Sequence, residues 1–423
     1  SSPIRVKDVV RGMVNEWMES PTQNVGLPLP WPKFNASIGG GLRSGVHLVG
    51  ARLKALRHGS KVYTKNGPIL IENVKVGDII KHPFKGDTKV TAIYPHKNKD
   101  IYRVHFRDGD FVDCCEDHLW HVYKRYPYGN SKEYLKTTKE LIGDLKIGNK
   151  QEYKWDIPLP LPIEFDHKNV PIDPYALGVL LGDGSVSNNT CVYHTADDEI
   201  HQYMLNYATS IGCAVKIDSN RPDNKVVSYR INTFQNKLRE SGIWGKNCYV
   251  KSIPKNYIYN SKEVRLAVLA GLMDTDGTCV IDSRSHQSRS VYSSVSHQLC
   301  LDLKEIVQSL GGLCSINNHT SSCNGKIFHS YQCEVRLPDG INPFRLKRKA
   351  NRFTDRVIGK LKRTIVKIEK VGVDNATCIS LSENDGLFMT DNYVVTHNTG
   401  KTSIGLMTAI HAATFGIPTL ILD

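Results

Sequence analysis

No run of about 18 apolar residues occurs in this 423-residue chain, which excludes an ordinary membrane-spanning helix. The 11 cysteines are odd in number and include no C-x-x-C pair, which disfavours both a disulfide framework and a zinc ribbon. A reducing cytosol, in a bacterial or phage-infected cell, is the simplest compartment. Position 1 is not Met, and no signal peptide precedes the polar opening residues. That start, and a stop at Ile421-Leu422-Asp423 in mid-pattern, lead us to expect a fragment. Acidic residues are in deficit, 42 against 55 Lys and Arg, so the net charge of +13 suits a polyanion partner without demanding one. The densest basic run, Arg345 to Arg363, sets nine Lys and Arg against Asp355 alone. It reads as a solvated helix face or as a DNA-backbone contact.

What the chain also lacks is an unbroken phosphate-binding loop, although both halves of one are present. Gly50-Ala51-Arg52-Leu53-Lys54 lies near the start and Thr399-Gly400-Lys401-Thr402 near the end, separated by the 344 residues from 55 to 398. Joined, they read A-R-L-K-T-G-K-T, a Walker A loop with Ala51 in place of its first glycine. Such a loop needs continuous backbone, because successive N–H groups must point at one phosphate. The nucleotide site of Ala51, Arg52, Gly400, Lys401 and Thr402 therefore requires removal of the middle, which points to protein splicing.

The 79 residues outside the middle read strand, loop, helix, strand, one unit of a parallel α/β sheet. They include Gly39-Gly40-Gly41-Leu42-Arg43-Ser44-Gly45 before an apolar strand, and Ile404, Leu406, Met407, Ile410 and Ala413 at helical spacing. These flanks resemble the RecA/DnaB-type P-loop ATPase core. The resemblance implies a phage or bacterial replicative helicase, with a RecA-like recombinase as the second choice. It also implies ATP with Mg2+, a nucleic-acid partner and a hexamer.

Residues 55–165 are rich in short alternating strands and turns, with Asn66-Gly67 a hairpin signal, and residues 356–398 return to that pattern. The blocks Gly59-Ser60-Lys61-Val62-Tyr63-Thr64, Val74-Lys75-Val76-Gly77-Asp78, Cys114-Cys115-Glu116-Asp117-His118-Leu119-Trp120 and Val394-Val395-Thr396-His397-Asn398 resemble the all-β Hedgehog/intein splicing domain. An Asn amide can attack its own carbonyl and cut the chain after Asn398, with His397 polarising that carbonyl. The Thr399 hydroxyl can take an acyl group and release it to its own amine. His118 suits the upstream bond, Lys54–Ala55. Most inteins begin with Cys or Ser, but this one would begin with Ala55, which cannot attack. Either Ala55 traps a class 1 precursor, or the first nucleophile is internal, as in class 3 inteins. That class carries a Trp two residues after the upstream His, an internal Cys and a Thr before the terminal His. Trp120, Cys378 and Thr396 match it. The resemblance then implies attack by Cys378 on Lys54, for which a neighbouring His or positive charge is expected. Two departures stand out: Gly386, where many inteins have His, and Cys115, where Thr is usual.

Residues 166–355 mix helices and strands. Ala176-Leu177-Gly178-Val179-Leu180-Leu181-Gly182-Asp183-Gly184 and Leu269-Ala270-Gly271-Leu272-Met273-Asp274-Thr275-Asp276-Gly277 resemble the paired motifs of LAGLIDADG homing endonucleases. The resemblance implies an α+β fold with a pseudo-two-fold axis, a double-stranded DNA partner, and Mg2+ or another divalent metal held by Asp183 and Asp276. A repeated strand–helix unit, Val192 to Gly212 and Val291 to Gly312, supports two related halves. Lys225 and Lys326 are the lysines at comparable places.

The expected layout is therefore 1–54 upstream ATPase fragment, 55–165 first splicing part, 166–355 endonuclease, 356–398 second splicing part and 399–423 downstream ATPase fragment. The splicing itself needs no cofactor. Two other readings stay open. One is a P-loop ATPase with a non-splicing regulatory insertion. The other is a DNA-binding or maturase-like protein with an inert junction.

Overall fold

The structure, a computed structural model, describes residues 29, 32–37, 40–42, 54–125, 132–148, 151–186, 190–220, 225–281, 288–323, 326–354 and 361–397. The chain divides into two units, Leu53–Asn398 and the paired ends Ser1–Arg52 with Thr399–Asp423. Of the ends, a short helix Pro32–Ser37 is described. Its Asn35 side chain accepts from Leu29 N–H at 2.8 Å and donates to the Leu29 carbonyl at 2.7 Å. None of the described helices is long and apolar enough to cross a membrane.

The larger unit opens with β1 (Leu56–Arg57), β2 (Lys61–Thr64), β3 (Gly67–Leu70), β4 (Ile79–His82), β5 (Gly86–Phe106) and β6 (Phe111–Cys115). It continues with β7 (Leu119–Lys124), β8 (Lys132–Thr137), β9 (Lys146–Ile147), β10 (Glu152–Tyr153) and β11 (Trp155–Pro158). The β2–β3 turn is Lys65-Asn66, and Gly67 already pairs with Thr64. Gly67 has φ 121°, so glycine is needed one step later than an Asn-Gly turn suggests.

The α+β part follows. It comprises α1 (Pro174–Asp183), β12 (Gly184–Ser185), β13 (Cys191–Thr195), α2 (Asp198–Ser210), β14 (Val215–Asn220) and β15 (Val227–Ile231). The same order recurs as α3 (Lys262–Thr275), β16 (Gly277–Ile281), β17 (Ser288–Ser294), α4 (His297–Ser309), β18 (Leu313–Cys323) and β19 (Lys326–Arg336). The sheets run β12-β13-β15-β14 and β16-β17-β19-β18, the same path twice. Asp173 caps α1 by accepting from Ala176 N–H at 2.9 Å, and Pro174 fills the first helical position, where no N–H is needed.

Strands β20 (Lys362–Leu381), β21 (Leu387–Thr390) and β22 (Val394–His397) complete the chain. They rejoin the first eight strands and β11 in one antiparallel system ordered β21-β22-β7-β11-β20-β1-β6-β5-β4-β2-β3, with β8 on β7. β20 also pairs with β5 along nearly its whole length, through several register shifts. This β system and the α+β repeat each bury their own apolar core.

Candidate active sites at the splice junction and the helix ends

Ala55 is 1% exposed and is held from both sides of β1. Its carbonyl accepts from Cys115 N–H at 3.0 Å, and its own N–H points to Cys115 Sγ at 3.2 Å. The nitrogen of the Lys54–Ala55 bond therefore ends on a thiol. On the other side, Leu56 pairs with Thr377, so antiparallel register puts Ala55 opposite Cys378. Cys115, Ala55 and Cys378 form a row across three strands, packed with Ile101 and Ala376. Two strand spacings separate the cysteine backbones by about 10 Å, whereas a disulfide needs less than about 7 Å. Cys115 therefore cannot sequester Cys378 by oxidation while β1 lies between them.

His118 is fully buried and links three segments. Its Nδ1 lies 3.2 Å from the Lys54 carbonyl oxygen, and its Nε2 meets the Thr396 hydroxyl. A carbonyl can only accept, so Nδ1 carries the proton and Nε2 accepts from Thr396. Burial pushes the imidazole down to about 3; the Lys54 hydrogen bond opposes this and the nearby His397 adds to it. The ring is neutral at pH 7, a donor to the Lys54 carbonyl rather than a cation. Trp120 packs edge-on against it, with ring centroids 5.1 Å apart. The Trp120 Nε1–H donates to the Thr138 hydroxyl at 2.9 Å, and Thr138 N–H donates to the His118 carbonyl at 2.9 Å. His397 pairs with Leu119, the residue after His118. Asn398, Thr399, Ala51, Arg52, Gly400, Lys401 and Thr402 lie outside the described residues. Gly386, where many inteins carry His, has φ 62°, in the left-handed region.

In the repeat, α1 and α3 touch backbone to backbone. A Cβ on Gly178 would stand 2.4 Å from the Val268 carbonyl, and one on Gly271 would stand 2.4 Å from the Tyr175 carbonyl. Glycine at both positions lets the helices converge on Asp183 and Asp276. Burial, then the neighbouring Asp183, pushes Asp276 up to about 6. Burial also raises Asp183. No group of three or more His, Cys, Asp or Glu side chains among the described residues is placed to hold a metal ion. Asp183 and Asp276 both reach solvent, yet their charged forms are disfavoured by partial desolvation and, at Asp276, by repulsion from Asp183. A divalent cation would relieve both.

No family model matches the chain. In sequence it is 24% identical over 373 residues to the replicative DNA helicase DnaB of Mycobacterium intracellulare, across 82% of this chain and 58% of that protein. The chain thus spans somewhat more than half of that curated relative. Among solved structures, the gp41-1 intein matches 24% of this chain and 73% of its own at 24% identity, with a TM-score of 0.18. I-DmoI in complex with DNA and Ca matches 40% of this chain and 83% of its own at 12% identity, with a TM-score of 0.27. In sequence the chain thus resembles a DnaB-type replicative helicase.

The LAGLIDADG-like part contains two polar residues that sequence reasoning missed. Lys251 Nζ donates to the carbonyls of Leu180, Gly182 and Gly184 at 3.3, 3.0 and 2.8 Å. Lys349 Nζ donates to those of Met273, Asp274, Thr275 and Gly277 at 3.0, 2.6, 3.1 and 2.6 Å. Each lysine caps one helix end and faces both acids electrostatically. Burial lowers both ammonium groups from their ordinary value. Lys225 is exposed ahead of β15, and the Lys326 side chain lies outside the described set. In the basic run, Arg345, Lys347, Arg348 and Arg352 are exposed, Arg348 pairing with Asp197 at 2.7 Å, whereas Lys349 is buried, and Arg356 and Lys360 lie outside the described residues. Arg363 is buried against Asp108 and Asp110 in the intein-like core.

Proposed function

We propose that residues 55–398 excise themselves and join Lys54 to Thr399, restoring a phosphate-binding loop. The observation that carries this reading is the placement of His118 between the Lys54 carbonyl and Thr396, with Cys378 opposite Ala55 on the neighbouring strand. In the first step Cys378 sulfur bonds to the Lys54 carbonyl carbon. The Lys54–Ala55 C–N bond breaks, and the thiol proton ends on the Ala55 amine. His118 Nδ1–H is placed to stabilise the oxyanion. The Thr399 hydroxyl then displaces the thiol, moving the acyl group to an ester. The Asn398 side-chain nitrogen attacks its own carbonyl, forming a succinimide and freeing the Thr399 amine. That amine takes the acyl group from its own oxygen, closing the new peptide bond. Thr396 and Trp120 orient His118, and His397 assists Asn398.

The inserted repeat reads as a nuclease for double-stranded DNA, and the uninterrupted helicase allele is the expected target. Asp183 and Asp276 would hold a divalent cation such as Mg2+, which supplies Lewis acidity toward a phosphodiester. Lys251 and Lys349 keep the helix ends together without becoming ligands. The spliced product would bind ATP with Mg2+ through Ala51, Arg52, Gly400, Lys401 and Thr402, and would act on nucleic acid as a cytoplasmic hexameric helicase. Intact-mass measurement of the expressed chain tests the splicing. A 344-residue product and a 79-residue ligated product are expected; the 423-residue chain alone, stable over days, would overturn the reading.

A further inference from the structure

The strand that carries Thr396 and His397 leaves a strained turn. Asn392 and Tyr393, just before β22, both have φ 56°, a left-handed conformation unfavourable for a bulky side chain such as tyrosine. The turn persists because its surroundings fix it. The Tyr393 ring is 1% exposed and stacks on Tyr63 at 3.9 Å. The Asn392 carbonyl accepts from Arg363 Nη1 at 2.9 Å, and Arg363 is tied to Asp108 and Asp110.

The rest of the restraint comes from the endonuclease-like part. Helix α4 turns one face toward this turn. Its Glu305 Oε1 accepts from the Tyr393 hydroxyl at 3.0 Å and from the Tyr259 hydroxyl at 3.2 Å. Lys304 Nζ lies 2.6 Å from Asp110 Oδ1, and Gln308 Nε2 donates to Asp110 Oδ2 at 2.5 Å. Tyr259 in turn lies against Gly67 of the β2–β3 hairpin, where an added Cβ would stand 3.0 Å from its ring. Positions 304, 305 and 308 lie on one helical face. That face therefore grips Tyr393 directly and Arg363 through Asp110.

We propose that α4 clamps this turn and that Glu305 is a positioning residue for the C-terminal half of splicing. If the turn relaxes, β22 loses its register. A one-residue slip in a strand reverses every side chain. Thr396 would then leave His118, and His397 would leave its place opposite Leu119. The inserted part is, on this view, a brace for the splicing site as well as a separate enzyme. The inference rests on the splicing reading above.

The test compares Glu305→Leu with Glu305→Gln in the full chain. Gln keeps an acceptor oxygen for both tyrosines; Leu does not. Glu305→Leu is expected to slow cleavage after Asn398 about tenfold, the equivalent of one lost buried hydrogen bond, with branched intermediate accumulating. Glu305→Gln is expected to splice within about threefold of the parent, and duplex cleavage by both variants should be unchanged. Hydrogen exchange at Val394–His397 in the Cys378→Ala chain gives a readout that needs no splicing. Protection there should fall with the Leu substitution and be kept with Gln. Equal protection and equal branching in both variants would overturn the clamp. An unspliced parent whose Leu variant still loses protection would overturn only the splicing reading.

Discussion

The two chemical centres of this chain are built on opposite principles. The intein-like centre has no symmetry and, among its described residues, no buried charge: Ala55, Cys115, Cys378, His118, Trp120 and Thr396 meet through strand register. The endonuclease-like centre is two-fold and charged, with Asp183 and Asp276 at paired helix ends and Lys251 and Lys349 behind them. On the functions proposed, the difference follows from the substrate. A reaction on the chain's own backbone needs its carbonyl held and polarised in a dry sheet, and a neutral imidazole does this without the desolvation penalty of an ion. On the proposed nuclease reading, the second site must accept an external polyanion and a cation, so it keeps charges at solvent-reaching helix ends.

The largest expected effect separates the two centres. Cys378→Ala should lower splicing by at least about a thousandfold, as loss of a nucleophile does, while duplex cleavage is untouched. Intact mass and a plasmid-cutting assay report the two outcomes, and loss of both activities would mean the centres are not separable. Next, Gly271→Leu should destabilise the insert by about 3 kcal/mol or more, because its side chain would meet the Tyr175 carbonyl and Gly178 backbone, neither of which can turn away. Thermal unfolding of the insert should show the loss.

How far each centre was legible in the sequence follows the same divide. Cys378 was readable only through the family resemblance, whereas Trp120 and Thr396 could be read from fixed offsets, two after His118 and one before His397. The two glycine–acid motifs were legible for the same reason, and the helices form where they predict. Lys251 and Lys349 were not legible, lying 68 and 73 residues beyond their acids in segments without periodicity. Only the fold brings an ammonium under a helix end. Within the run from Arg345, charge alone does not distinguish Lys349, buried on carbonyls, from its exposed neighbours Lys347 and Arg348. The α4 clamp joins Glu305 to Tyr393 across 88 residues, and nothing local marks either partner. Cys378 packs with Ala55, Ile101, Cys115 and Ala376.

A charged centre should also show itself in pH. Asp276 titrates near 6 when folded and near 3.9 when unfolded, so the folded state holds the proton more tightly. Stability of the insert should be highest below about pH 4 and fall modestly as pH rises through 6, because Asp276 is exposed and solvent screens much of the effect. Asp276→Asn should reduce that slope, stabilise the insert slightly at pH 7 and abolish cutting. Denaturant titrations at pH 4.5 and 7 check the sign, and a slope in the opposite direction would contradict the raised proton affinity of this acid. The smallest effect belongs to the neutral centre. Trp120→Phe keeps the edge-on ring but removes the donor to Thr138, and should slow splicing by severalfold, about 1 kcal/mol in the barrier. Single-turnover kinetics should resolve it.

The central claim is that the Lys54 acyl group passes to Cys378, and peptide mapping tests it most directly. With Asn398→Ala and Thr399→Ala together, both later exits are closed. The account predicts a branched species with residues 1–54 attached through Cys378 and released by hydroxylamine. A chain that stays linear, or that still yields the released fragment when Cys378→Ala is added, would contradict it.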